Sequence, residues 1–231
     1  MEIALLGFGR MGKAIEKIAI ERGHTIVAKI DKDNQNELFD ADVAINFSVP
    51  DAAFTNISKA FDKQIPVVCG TTGWLDRLAE IETLCKEKDS GFLYASNFSL
   101  GVNLFFDLNK KLAQLMKQHD SYDVEIEEIH HTQKVDKPSG TAITLAEGVY
   151  DEESKKSWHL AEQGGEGIPI LSLRQDDVPG THTVQYTSAI DDISITHTAH
   201  NRTGFAFGAV LAAEWIHNKK GIFSMQDVLG L

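Results

Sequence analysis

The sequence has few cysteines and no long apolar segment. Its two cysteines among 231 residues, Cys69 and Cys85, match no spacing typical of metal or redox sites, so we interpret both as reduced thiols. No apolar run approaches the ~20 residues that span a bilayer. No signal-peptide pattern precedes the first apolar segment. We therefore expect a cytoplasmic protein with no membrane partner.

Basic residues are also scarce. The 22 Lys and Arg residues against 34 Asp and Glu residues give a formal net charge of -12. Binding of nucleic acid needs a basic face, so we expect no nucleic-acid partner. An anionic small molecule is compatible with this charge, because a few Lys, Arg and backbone N–H groups can form a local positive pocket on an acidic protein.

The first hundred residues alternate short apolar runs with helical stretches. In the first helical stretch, Ile15, Ile18 and Ala19 follow the spacing of one helix face. The apolar runs predict buried parallel strands at Ile3–Leu6, Thr25–Ile30, Val43–Phe47, Pro66–Cys69 and Phe92–Ala95. This alternation predicts an α/β fold with a doubly wound, mostly parallel sheet.

The pattern changes after residue 100. Gly101–Lys117 predicts a long amphipathic helix, one side of which carries Leu104, Leu108, Leu112 and Leu115. Apolar–polar alternation then predicts strands at Tyr122–Ile129, Ile168–Arg174, His182–Ala189 and Ile193–Ala199. Strands that follow one another without helices imply a largely antiparallel or mixed sheet, hence a second domain of α+β type. Thr203–His217 predicts a further helix, and the polar stretch Tyr150–Gly167 predicts a surface loop.

The first turn of the chain carries a G-x-G-x-x-G motif. It consists of Gly7, Phe8, Gly9, Arg10, Met11 and Gly12. The glycines allow a tight turn, close approach of the backbone to a pyrophosphate, and close packing of helix on strand. The helix N-terminus offers free N–H groups and a positive dipole end. Because a strand precedes the motif, a helix follows it, and Asp31 ends the next strand, the motif predicts a dinucleotide site.

Further polar groups follow the strands of this sheet. Asp31 is suited to the ribose hydroxyl of NADH, whereas Lys32 and Arg10 are suited to the extra phosphate of NADPH, so the cofactor is NADPH and/or NADH. Ligands bind beyond the carboxyl ends of parallel strands, which adds two more groups of candidate contacts. These groups are Gly70, Thr71 and Thr72 after the fourth strand, and Ser96, Asn97, Phe98 and Ser99 after the fifth.

A second group of residues suited to chemistry lies between Glu127, at the end of a strand, and Ala142. We call this stretch the reactive segment. Histidine is the side chain best suited to proton exchange near neutral pH, and adjacent His130 and His131 point to opposite faces if the strand continues. Ser139 and Thr141, at the start of the following helix, predict an anion site that Lys134 can supplement. The histidines lack the cysteine or carboxylate spacing of usual zinc sites, so we expect no metal.

The segment His130-His131-x-x-Lys134-x-Asp136-x-Pro138-Ser139-Gly140-Thr141-Ala142 resembles the signature of the dihydrodipicolinate reductases, or 4-hydroxy-tetrahydrodipicolinate reductases. This family acts in the diaminopimelate route to lysine. The resemblance extends over the chain through the Gly7–Gly12 turn, Gly70-Thr71-Thr72-Gly73, Asn97-Phe98-Ser99-x-Gly101, Arg202-x-x-Phe205-x-x-Gly208-Ala209 and Phe223-x-Met225-x-Asp227-Val228-Leu229.

The resemblance implies roles for these residues. His130 matches the family's proton donor and acceptor, and Lys134 its second proton donor. The residues His131, Gly140 and Thr141 match substrate-binding positions. Ser139 is added as a substrate-binding candidate because it lies at the start of the helix. The resemblance also implies two domains. One is a Rossmann domain (1–100 and 203–231), in which the C-terminal helix packs back on the cofactor-binding part, and the other is a domain for substrate binding and oligomerisation (101–202). Two short hinges join them, and the family usually forms homotetramers.

The sequence departs from the family pattern in two places, and two other functions stay open. The chain is short for this family around Tyr150–Gly167 and between Asp31 and Asp42. A different Rossmann reductase, or a regulatory module that binds the dinucleotide without turnover, would explain the glycine turn. Neither would explain the His130–Thr141 segment.

Overall fold

The computed structural model describes residues 1–34, 40–150, 156–201 and 203–231. The chain divides into two compact units, of which the first combines Met1–Leu100 with Thr203–Leu231 and the second is Gly101–Arg202. What each unit binds stays a prediction. Within the described ranges, no helix combines the length and the apolarity that a membrane crossing demands.

The first unit is built on a six-stranded parallel sheet in the order β11-β5-β4-β3-β1-β2. Its strands are β1 (Glu2–Leu6), β2 (Thr25–Ile30), β3 (Val43–Asn46), β4 (Val67–Cys69), β5 (Gly91–Tyr94) and β11 (Gly221–Phe223). Its helices are α1 (Arg10–Glu21), α2 (Pro50–Phe61), α3 (Leu78–Glu87), α6 (Thr203–Ile216) and α7 (Met225–Leu229). The predicted α/β fold with a parallel sheet is confirmed, and β11 adds an edge strand that the apolar pattern did not indicate.

Two apolar cores cover the two faces of this sheet. One contains α1 and α6 residues such as Ile15 and Val210 packed on Ile3 and Leu5 of β1. The other packs α2 and α3 on the opposite face. Cys69 is completely buried there, and burial raises the pKa of its thiol to about 11, so Cys69 is a small core residue.

The second unit is a five-stranded sheet in the order β10-β9-β6-β8-β7, with helices α4 (Leu100–Met116) and α5 (Gly140–Val149). Its strands are β6 (Asp123–His130), β7 (Trp158–Leu160), β8 (Ile168–Arg174), β9 (Gly180–Thr187) and β10 (Asp192–Ala199). The strand β9 is antiparallel to both neighbours, whereas β8 is parallel to both β6 and β7. The sheet is therefore mixed, because α5 lies in a crossover that returns the chain in the same direction.

One expectation for this unit was wrong. The stretch Tyr150–Gly167 is not only loop, since it contains β7 and a short 3-10 helix at Ala161–Gln163; residues 151–155 lie outside the described part. On α4, the side that carries Leu104 and Leu108 is about half exposed, and the buried side carries Val102, Phe105 and Asn109. A helix that docks by one narrow stripe leaves some apolar side chains outside.

Candidate active site

The glycine turn is shaped by the backbone that surrounds it. Gly7 has φ +99°, and a β-carbon there would lie 2.2 Å from the carbonyl oxygen of Phe47. A β-carbon on Gly12 would lie 2.3 Å from the Gly7 carbonyl oxygen, so the helix packs tightly on the strand. A β-carbon on Gly9 would meet nothing within 4 Å, which leaves the space through which a pyrophosphate can approach the backbone. Arg10 and Met11 begin α1 and leave their N–H groups outside the helix ladder.

A cavity of about 540 Å³ opens beside this turn. Its lining includes Gly7, Phe8, Gly9, Asp31 and Lys32. The cavity thus brings together the two ends of the predicted dinucleotide motif within the first unit. Its remaining wall comes from a segment that the sequence prediction missed, consisting of Phe47, Ser48, Val49, Asp51, Ala52, Thr55 and Asn56, together with Ile30. These residues follow β3, so the carboxyl-end rule that located Gly70 also points to them.

The turn after β4 packs against the β3 end. A β-carbon on Gly70 would lie 2.2 Å from the Phe47 ring, and the hydroxyl of buried Thr71 accepts a hydrogen bond from the Ser48 N–H at 2.9 Å. Thr72 is exposed. The structure therefore places Gly70 and Thr71 next to the wall of the cavity.

The turn after β5 divides into core and surface. Phe98 is buried, with its ring centroid 5.5 Å from that of Phe47, so its side chain belongs to the core. Asn97 Oδ1 accepts a hydrogen bond from the Ser99 N–H at 2.9 Å, and Ser96 is exposed. A cofactor contact at Phe98 would have to be made by its backbone.

The reactive segment starts on the buried face of the second sheet. His130 is the last residue of β6, and its inward-facing predecessors on that strand are Glu128, Ile126 and Val124. His131 is half-buried and lines a separate cavity of about 320 Å³ with Thr132, Gln133, Asp176 and Asn201. The two adjacent histidines thus have different surroundings, as the strand geometry predicts.

Strand register gathers further polar side chains around His130. Glu128 pairs across the sheet with Ser172 on β8 and with His182 on β9, and His130 pairs with Arg174. Sequence reasoning missed Glu128, Ser172, Arg174 and His182. The available signal was that Glu128 interrupts the apolar alternation of β6 on its inward side, where a carboxylate needs partners.

Glu128 is fully buried and well supplied with hydrogen bonds. Both of its carboxylate oxygens accept from the Ser139 N–H at 3.1 Å, and Oε1 also accepts from the Ser172 hydroxyl at 2.5 Å. Burial alone raises the pKa of Glu128, but the contact with His182 and the hydrogen bonds from Ser139 and Ser172 outweigh burial and hold the pKa well below its ordinary value. Glu128 is therefore a carboxylate at neutral pH.

His130 is neutral in this environment. Burial, reinforced by the neighbouring His182, lowers the pKa of His130 to about 4, although the Glu128 charge acts in the opposite direction. The two imidazole rings meet edge to face, with centroids 4.9 Å apart.

Lys134 lies in the loop between β6 and α5. Its Nζ contacts the Asp136 carboxylate oxygens at 2.8 and 2.9 Å, and this pairing lowers the pKa of Asp136. The Arg174 guanidinium donates to the backbone carbonyl oxygens of Lys134 and Asp136, at 3.4 and 2.7 Å. The loop that carries Lys134 is thus attached to β8.

The start of α5 forms the other side of the segment. Ser139 caps the helix, because its hydroxyl accepts from the Ala142 N–H at 3.2 Å, and it also lies 3.2 Å from Nε2 of His182. Since the Ser139 N–H already donates to Glu128, both polar groups of Ser139 are engaged internally. The first-turn N–H groups of Gly140 and Thr141 have no partners within the helix, and a β-carbon on Gly140 would meet nothing within 4 Å. An anion can therefore approach Gly140 and Thr141 more readily than Ser139.

Within the described residues, one cluster has the composition of a metal site. Ligand atoms of Glu128, His130 and His182 all lie within 4.8 Å of one another. The Glu128 carboxylate, however, already lies 3.6 Å from the Arg174 guanidinium. That positive charge opposes a cation, so the absence of a metal stays our prediction.

Comparison with known proteins identifies the family. The family model for the dihydrodipicolinate reductase N-terminus matches residues 1–98, and that for the C-terminus matches residues 101–229. The 4-hydroxy-tetrahydrodipicolinate reductase of Christiangramia forsetii is 58% identical over 233 residues, which cover 99% of this chain and 98% of the relative. The enzyme of the same name from Neisseria meningitidis serogroup C is 35% identical and covers 94% of this chain and 84% of its own length.

Solved structures agree on the fold. A dipicolinate-bound dihydrodipicolinate reductase from Paenisporosarcina sp. TG-14 superposes with a TM-score of 0.76 at 23% identity, covering 98% of each chain. A probable dehydrogenase from Thermotoga maritima superposes with a TM-score of 0.60 at 10% identity. The glycine turn, the His130–Thr141 segment and the full-length matches lead to one conclusion: this chain belongs to the dihydrodipicolinate reductase family.

Proposed function

We propose that this chain catalyses the NAD(P)H-dependent reduction of 4-hydroxy-tetrahydrodipicolinate to tetrahydrodipicolinate, with loss of water, in the diaminopimelate pathway of lysine biosynthesis. The observation that carries the proposal is the position of His130. It ends β6 next to the N-terminus of α5, with Lys134 in the loop between them. A relative that is 58% identical carries this enzyme's name, which supports the same assignment.

The second unit holds the dicarboxylate substrate in this proposal. The N–H groups of Gly140 and Thr141 bind one carboxylate at the positive end of α5. Lys134 exchanges its contact with Asp136 for a contact with the substrate, and His131 supplies a further polar group from the neighbouring cavity. The substrate's negative charge also favours the protonated form of His130.

The cavity of the first unit fits a dinucleotide, since the Gly9 backbone is open and Asp31 and Lys32 line the far side. NAD(P)H bound there supplies a hydride. Loss of the 4-hydroxyl and a neighbouring ring proton as water turns the substrate into a conjugated imine, and hydride addition at C4 leaves the anion of an enamine. His130 then delivers a proton to a ring carbon, which completes tetrahydrodipicolinate. The proton on His130 is replaced from solvent before the next turnover.

Both nucleotides are proposed as cofactors. Asp31 is placed to accept the 2′-hydroxyl of NADH, although its Oδ1 already accepts from the Lys32 N–H at 2.9 Å. The Lys32 side chain lines the same cavity and offers a cation to the 2′-phosphate of NADPH.

We also propose a homotetramer assembled through the outer face of the second sheet. Leu171 and Leu173 point away from the buried side of β8 and are 38% and 40% exposed. Apolar side chains on an otherwise open sheet favour association with another copy. Sedimentation velocity would show a tetramer, and a monomer at micromolar concentration would contradict this arrangement.

The assay that tests the function follows absorbance at 340 nm with freshly generated substrate and each nucleotide in turn. We expect substrate-dependent loss of NADH and of NADPH. If the chain binds the nucleotides but consumes neither, a regulatory dinucleotide-binding module replaces the reductase assignment.

A further inference from the structure

The second unit contains a buried charge, that of Glu128. A buried carboxylate is stable only when it is paired and hydrogen-bonded, and Glu128 is 0% exposed. Ordinary packing would be satisfied by an apolar residue at this inward position of β6, as at Ile126 and Val124. A carboxylate at this position therefore points to a role besides packing.

The two oxygens of Glu128 contact residues of β6, β8 and β9. Oε2 lies 3.4 Å from Nδ1 of His130 and 3.7 Å from Nε2 of His182. Oε1 lies 3.6 Å from the Arg174 guanidinium. The Ser139 N–H reaches both oxygens, so the carboxylate also fixes the start of α5.

The contact with Arg174 extends this network to Lys134. Arg174 donates to the backbone carbonyl oxygens of Lys134 and Asp136. The side chains of these same two residues form the exposed ion pair. One carboxylate thus connects the proton-exchanging histidine, the anion-binding helix start and the lysine loop.

The position of Glu128 also determines which nitrogen of His130 can react. A carboxylate beside Nδ1 favours the proton on that nitrogen, and neutral imidazole then exposes Nε2 as its acceptor. The space at Nε2 is kept open by Gly180, where a β-carbon would lie 3.1 Å from that nitrogen. Nδ1 thus lies at ion-pair distance from the carboxylate without a hydrogen bond to it, whereas Nε2 faces Gly180.

We propose that Glu128 is a positioning residue for the reaction, which keeps Nδ1 of His130 protonated and fixes the start of α5 and the Lys134 loop around it. His182 assists by bridging Glu128 and the Ser139 hydroxyl. This inference rests on the proposed function, because it assigns Glu128 a task in that reaction.

The test uses the full-length chain with Glu128 replaced by Gln. Glutamine has the same shape but must present an amide N–H₂ to at least one of the donors that now face the carboxylate. We expect kcat to fall by about a hundredfold or more, as when the carboxylate that orients a catalytic histidine is removed. The dissociation constant of NADH, measured by fluorescence, should stay unchanged, since the nucleotide is assigned to the first unit.

The pH profile separates positioning from simple structural support. His130 is faced by Glu128 on its own strand, His182 on β9, Arg174 on β8 and Lys134 in the loop, and Glu128 is the only anion among them. Removal of the Glu128 charge lowers the pKa of His130 further. The alkaline decline of kcat should therefore move to lower pH in Glu128→Gln and return toward the wild-type position in Glu128→Asp.

The matched control is Glu127→Gln, which removes the same charge from the opposite face of β6. Its kcat and pH profile should match those of the wild type.

A Glu128→Gln variant with wild-type kcat and an unshifted profile would overturn the inference while leaving the reductase function intact. Loss of wild-type activity in EDTA, restored by zinc, would also overturn it by making Glu128 a metal ligand. If Glu128→Gln does not fold, Glu128→Asp carries the test through kcat, because its shorter side chain keeps the charge but withdraws the carboxylate from Nδ1 of His130. Wild-type kcat in Glu128→Asp would then overturn the positioning role. A wild-type chain that never consumes nucleotide would refute the function itself.

Discussion

The Nε2 atom of His130 faces Gly180 at a distance that leaves little room for a side chain at position 180. A β-carbon at position 180 would lie 3.1 Å from Nε2 and 3.2 Å from the adjacent ring carbon. Gly180 begins β9, two residues before His182, so the antiparallel pairing of β6 and β9 sets this separation. Glycine is therefore found where a larger residue would crowd Nε2 of His130.

Replacing Gly180 by Ala should impair the reaction more than the fold. The added methyl group presses on Nε2, and the neighbour must yield by a few tenths of an ångström. We expect kcat to fall about tenfold, with a loss of stability of about 1 kcal/mol. The control is Thr183→Ala, on the other face of the same strand, which should keep wild-type kcat. Equal kcat in Gly180→Ala and wild type would show that Nε2 is not the reacting atom.

His130→Gln should separate chemistry from cofactor binding. Glutamine retains a polar side chain but cannot exchange a proton near neutral pH. General acid catalysis contributes about 10²- to 10⁴-fold, and kcat should fall within that range. The NADH dissociation constant should stay within about twofold, because the glycine turn belongs to the other unit. Steady-state kinetics and nucleotide fluorescence together decide the matter.

Lys134→Ala should mainly lower kcat/KM for the substrate. Its Nζ now contacts the exposed Asp136 carboxylate and is available to exchange that partner for a substrate carboxylate. Lys137→Ala is a suitable control, because Lys137 contacts Glu162 at the surface. Unchanged turnover in Lys134→Ala would remove Lys134 from the site.

Stability should depend on pH through His130. Its pKa in the folded chain is about 4, against an ordinary value of 6.5. Between these values the unfolded chain binds a proton that the folded chain does not, so stability rises with pH over this window and is lost as pH falls. Urea unfolding at pH 7 and pH 5 should show this loss in the wild type. A smaller loss is expected in His130→Gln, and identical losses in the two proteins would contradict the assigned protonation.

Gly70→Ala should damage the first unit, since its methyl group would overlap the Phe47 ring, with a β-carbon 2.2 Å away. We expect a lower melting temperature and weaker NADH binding. The double variant with Phe47→Leu should recover part of both, because the smaller side chain relieves the overlap. Failure of Phe47→Leu to restore either property would mean that Gly70 is needed for another reason.

The first unit was largely predictable from sequence because its signals are local. A parallel strand covered on both faces is a continuous apolar run, as in Val43–Asn46, and the glycine turn requires only neighbours in sequence. The second unit was less so. The parallel pairing of β6 with β8 depends on a crossover, and β7 is three residues long. Sequence spacing does not give such long-range pairing.

The same limit applied to the site. His130, Lys134 and Thr141 lie in one segment, so their grouping was visible in the sequence. Glu128 joins Ser172 and His182 only through the register of three strands. A buried glutamate and an exposed one look alike until the strand's inward side is known.

The first unit consists of two separate stretches of the chain, and this has a consequence for folding during protein synthesis. Helix α6 supplies Ala206, Ala209, Val210, Ala212, Ala213 and Ile216 to the core on one face of the parallel sheet. The second unit is continuous in sequence and is synthesised before these residues. Domains generally fold as units during synthesis. The nascent chain therefore carries an incompletely covered apolar sheet face until α6 emerges, and the second unit can complete its folding first.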